Sequence, residues 1–97
     1  MKLEKYGLKI TAVRCFKVPN RSEDGLVAIM ELEFNDNLVL GSVRLLRGED
    51  GELYFRFPSN PHSKRNRAFS YVKDEEARQE ILGEMVREYE TSCESRN

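Results

Sequence analysis

The chain has 97 residues, of which 39% are hydrophobic and 34% charged, with a formal net charge of −1. That size suits one domain with a modest core, and the composition excludes a disordered chain or indiscriminate binding to polyanions. No apolar run approaches the ~20 residues of a membrane span and the first residues lack a signal peptide's apolar segment, so the expectation is a cytoplasmic protein with no membrane partner.

Residues 1–7 carry charges and one tyrosine and are expected to fray or to add a short pairing strand, with 90–97 as a second flexible end. Residues 8–18 form a β-rich run, and 19–25 are polar turn material. Residues 26–34 alternate, with Leu26, Ala28, Met30, Leu32 and Phe34 on one face and Glu31 and Glu33 on the other. Asn35-Asp36-Asn37 makes a tight reversal. The next run, 38–46, is apolar on both parities: Leu38, Leu40 and Leu46 on one, Val39, Val43 and Leu45 on the other. Such a strand is expected to be central and covered on both faces.

Gly48-Glu49-Asp50-Gly51 reads as a hairpin loop, because glycine takes positive φ freely and aspartate satisfies turn amides. Beyond it Leu53, Phe55 and Phe57 alternate with Glu52, Tyr54 and Arg56 until Pro58, which cannot donate to a ladder. Periodicity is then lost until 68–72, a short candidate strand. Residues 74–89 form the one convincing helix, with Asp74 as N-cap and Glu75 and Glu76 at the positive end of the dipole. Ala77, Ile81, Leu82, Met85, Val86 and Tyr89 fall on one half-turn arc, which also contains Arg78. The sum is a single α+β domain: an antiparallel β-meander of four to five strands with one C-terminal α-helix. One helix covers one sheet face, so a homodimer is expected to cover the other.

Val43-Arg44-Leu45-Leu46, Gly48, Gly51 and Phe57-Pro58-Ser59 resemble the signature of the stage V sporulation protein G (SpoVG) family. Ile10-Thr11-Ala12-Val13-Arg14, Arg78, Ile81 and Glu88-Tyr89 extend the resemblance over about residues 10–89. It implies a SpoVG-like fold of sheet plus helix, a homodimer, and DNA or RNA binding connected with septation, sporulation and gene regulation. Where that family places a basic residue directly after Pro-Ser, this chain has Asn60-Pro61.

Charge is segregated. Residues 56–73 hold five basic residues and no acid, whereas 74–97 hold eight acids and three bases. Arg56, Lys64, Arg65, Arg67 and Lys73 can neutralise phosphates, and Tyr71, near Tyr54 and Phe69 in sequence, offers a ring for stacking on bases. The bland alternative is a solvated polar loop. Arg14 and Arg44 lie in strands among apolar neighbours, where ion pairs to Glu31, Glu33 or a partner chain are expected and phosphate contact is the lesser alternative. Catalysis would have to use His62, the only histidine, in a polar loop. No cofactor motif, metal spacing or small-molecule substrate site is evident, and Cys15 and Cys93 are expected as reduced thiols. The reading is therefore a non-enzymatic nucleic-acid-binding regulator. The alternative is a protein-interaction module acting through the sheet face or the acidic helix.

Overall fold

Period-two alternation in residues 26–34 produces the strand on which the core is built. In the computed structural model, which describes residues 3–18, 25–58 and 72–91, this is β2 (Leu26–Phe34). Ala28, Met30, Leu32 and Phe34 are all buried on one face. Its neighbours are β1 (Ile10–Lys17) and β3 (Leu38–Arg47), and β4 (Leu53–Arg56) pairs with β3. The four strands run antiparallel in the order β1-β2-β3-β4, with helix α1 (Glu75–Thr91) laid on one face. This is the α+β meander expected. Four strands are present among the described residues; Val72 is not in a strand, and 68–71 lie outside them.

β3 corrects the expectation of a strand covered on both faces. Met30 pairs with Val43 but Leu32 pairs with Leu40, so β3 carries one residue more than β2 between those rungs. The extra residue is a β-bulge, and Ser42 within it adopts φ 59°. Parity reverses across the bulge, which puts Leu40 on the same face as Val43 and Leu45. Both of the latter are fully buried, whereas Val39, on the opposite face, is 51% exposed. The apolar residues on both parities thus serve largely one core. Leu46 is the exception: it is buried away from that core, beside Leu26 and Tyr54 on the other face. Further register shifts fall between Ile10 and Ala12 and between Leu26 and Ala28.

The turns carry the expected chemistry. Asn35 and Asp36 both take φ 55°, the left-handed pair that a tight hairpin requires. The Asn35 side chain accepts from the Lys9 amide at 2.8 Å and donates to the Gly7 carbonyl at 3.0 Å, fastening the hairpin tip to the chain entering β1. In the β3–β4 loop the Gly48 amide donates to Glu52 at 2.8 Å, and Asp50 Oδ1 accepts from the Glu52 amide at 3.0 Å.

Helix α1 starts at the expected cap. Asp74 Oδ1 accepts from the amides of Glu76 and Ala77 at 2.9 and 3.3 Å. Ala77, Ile81 and Met85 are buried against the sheet, with Leu82 and Tyr89 partly so. Arg78, although on the apolar arc, reaches the edge of the layer, where its guanidinium lies 5.7 Å from the Phe55 ring centroid.

Two expectations fail here. Leu3–Tyr6 is a 3-10 turn that neither frays nor joins the sheet. Leu3 is buried at 2% exposure, its amide donates to Glu80 Oε1 at 2.8 Å, and the Tyr6 hydroxyl donates to Asp74 Oδ2. An apolar side chain in the core and two bonds to the helix outweigh the polar look of the segment. Cys15, half-buried on the face of β1 that meets α1, is disulfide-bonded rather than a reduced thiol. The other cysteine, Cys93, lies outside the described residues.

The Tyr6 hydroxyl, then the Ala77 amide, hold the Asp74 carboxyl below its ordinary value; the same bond raises the Tyr6 hydroxyl. A carboxyl depressed in the fold stabilises it above the unfolded value near ~4 and loses that contribution as pH falls through the folded value. Thermal melts from about pH 6 to about pH 2 should therefore show a steeper acid limb for the parent than for Asp74→Ala. Ile81→Ala should cost about 2–5 kcal/mol in urea denaturation, since Ile81 is 1% exposed at the sheet–helix contact.

Candidate nucleic-acid interface

Among the described elements the helix covers only one side of the sheet, so side chains of the other parity form a face that no described element covers. The Gly48–Gly51 loop sets the β3–β4 register with Arg47 opposite Leu53, and the ladder then brings Arg44 directly opposite Arg56. The β2 rung opposite Arg44 is Ile29, and the β1 rung opposite Ile29 is Phe16. One row across all four strands therefore reads Phe16, Ile29, Arg44, Arg56. Phe16 is 54% exposed and Ile29 38%, and Tyr54, two residues from Arg56 on the same face, is 40% exposed.

Like charges directly opposite each other in an antiparallel pair repel. Among the described residues neither Arg44 nor Arg56 has an ion-pair partner within 4.0 Å. The acids of this face lie towards its other end. Glu31 pairs with Arg14 at 3.7 Å, and Glu33 Oε2 accepts from the Thr11 hydroxyl at 2.8 Å. They line a shallow recess of about 310 Å³ with Ala12 and Val39. On this face the acids, Glu31 and Glu33, thus stand on β2 with Arg14 paired to Glu31, the facing arginines stand on β3 and β4, and Ile29 lies next to both groups.

Of the sequence-derived candidates, Arg56 is on this face. Lys73 is not: it lies just before α1, beside a cleft on the opposite side of the sheet. The structure does not bring the two together. Lys64, Arg65, Arg67 and Tyr71 lie outside the described residues, as does His62. The ion pair expected for Arg14 is formed, with Glu31, and Arg44 makes none with Glu31 or Glu33. Arg78 pairs within its own helix, with Glu75 at 4.0 Å.

Treating the basic run as a property of one loop misses the Arg44–Arg56 juxtaposition and its exposed aromatic flank. Counting outward from the hairpin loop is the signal that finds them. Among the described residues no group of three or more His, Cys, Asp or Glu side chains could hold a metal ion. No helix among them is long and apolar enough to cross a membrane. No protein-family model matches the chain, and no curated protein matches it.

A pair that repels in the free protein should be stabilising to remove. Arg44→Thr is expected to raise stability by about 0.2–1 kcal/mol at low ionic strength, with the gain shrinking in added salt. Chemical denaturation at two salt concentrations measures it.

Proposed function

We propose that the protein is a non-enzymatic nucleic-acid-binding module of the kind the SpoVG resemblance implies, and that it holds the strand against the uncovered face of its sheet. The observation that carries this reading is the Arg44–Arg56 pair. Two arginines stand on facing rungs with no ion-pair partner among the described residues, next to Tyr54 and in line with Phe16. A phosphate bridging them would turn repulsion into two charge-assisted hydrogen bonds, and exposed rings on a flat sheet can stack unpaired bases. Lys64, Arg65 and Arg67, which follow β4 in sequence, would extend the same interface, whereas Lys73 stands on the other side of the sheet. A role in gene regulation around septation or sporulation follows from the resemblance alone.

Anisotropy titrations with random-sequence single-stranded DNA and RNA at two salt concentrations test the proposal. The Arg44→Ala, Arg56→Ala double variant should bind both weakly, and the slope of log K against log salt should fall by about 0.7 for each phosphate no longer neutralised. Unchanged affinity and slope would remove the sheet face from consideration.

A second reading is favoured by the polarity of the same face. Under a two-fold axis Glu31 and Glu33 of one copy would meet Arg44 and Arg56 of the other, and the exposed Phe16, Ile29, Val39 and Tyr54 would be covered. This homodimer would occlude the nucleic-acid surface just described. Sedimentation equilibrium separates the two: a dimer at micromolar concentration that is lost in Phe16→Asp supports the protein interface, and a monomer leaves the face to nucleic acid.

A further inference from the structure

On the helix side of the sheet, away from the Arg44–Arg56 row, a cleft of about 620 Å³ opens between the 3-10 turn, the β2–β3 hairpin tip and the start of α1. That volume lies within the roughly 300–1,000 Å³ of ligand pockets. Phe34, Leu40, Phe57 and Ile81 form apolar walls. The polar groups of the lining are Tyr6, Lys73 and Asp74, neighbours in sequence or joined by a hydrogen bond.

Charge at that polar end is uneven. Asp74 is engaged by the Tyr6 hydroxyl, by two helix amides, and by Lys5 at 3.9 Å. Lys73 is exposed and has no ion pair among the described residues. The opening therefore offers an uncommitted cation, while its acid is already satisfied. We propose that this cleft is a binding site for a small amphiphilic carboxylate, with the apolar chain against Phe34, Leu40, Phe57 and Ile81 and the carboxylate at Lys73. Apolar burial supplies affinity, and the Lys73 contact selects an anionic head over a neutral one.

Decanoate and decanol, equal in chain length and different in charge, are the probes, read by amide chemical shifts of the full chain. Decanoate should shift amides around Leu3, Leu40 and Ala77 with 1:1 saturation and bind more tightly than decanol. Lys73→Glu should weaken decanoate by about tenfold and leave decanol unchanged. Leu38→Trp, at an exposed rim position lining the cleft, should weaken both probes without the folding risk of filling the buried walls. The proposal is overturned if these amides do not respond, if the shifts fall on Phe16 and Tyr54 instead, or if the two probes bind equally. It is also overturned if the cleft amides shift with protein concentration alone, which would assign the cleft to a second copy of the chain.

Discussion

The extra residue in β3 is the constraint on which the rest of the structure depends. A strand of ten residues with unbroken alternation would have sent either Leu38 and Leu40 or Val43 and Leu45 to the wrong side of the sheet. With the bulge at Ser42, Leu40 meets Leu32 and Val43 meets Met30 on one face, and α1 finds a continuous apolar floor. Ser42 takes a left-handed conformation that costs an L-residue about 1–2 kcal/mol. Burial of Val43 and Leu45 at 0% exposure offsets that cost, each contributing roughly 1.5–3 kcal/mol. The same device frees the far face, where Arg44 and Arg56 stand among partly exposed rings.

Asp74 organises the other half of the molecule. Its carboxylate begins the helix, receives the Tyr6 hydroxyl and faces Lys5, so one side chain fixes both the start of α1 and the 3-10 turn. Glu80, further along the helix, holds the Leu3 amide. The turn is thereby clamped at both ends against the helix, and the apolar cleft is framed by parts that cannot drift independently.

Local chemistry was legible in the sequence wherever it repeats or punctuates. The alternation of β2, the Asn35-Asp36 reversal, the Gly48–Gly51 loop and the Asp74 cap all declare themselves through residue type at fixed spacing. The bulge does not, because an insertion in one strand is defined only against its partner. Apolar residues on both parities then look like two buried faces, although all but Val39 and Leu46 share one face through a phase change. Leu3 misleads for a related reason: a single apolar residue among charges has no periodicity, and only the groove between helix and sheet gives it a place. As for the uncovered face, Arg44 and Arg56 are each visible in the sequence, but their meeting depends on register. The basic run of residues 56–73 contributes Arg56 alone to that face among the described residues.

β1 lies at the border of the sheet and is eight residues long, twice the length of β4 at the opposite border. Its outward row of amides and carbonyls pairs with no other described strand, and such a row is a template to which an extended segment could hydrogen-bond. The strand contains no proline, and its sequence, ITAVRCFK, combines β-branched residues with a phenylalanine. Arg14 and Lys17 are the charges that make such docking unfavourable, and each is also held to its own fold, by Glu31 and by the Tyr89 ring. Two cations thus guard this edge. Removing either charge would leave β1 a better template for another extended segment.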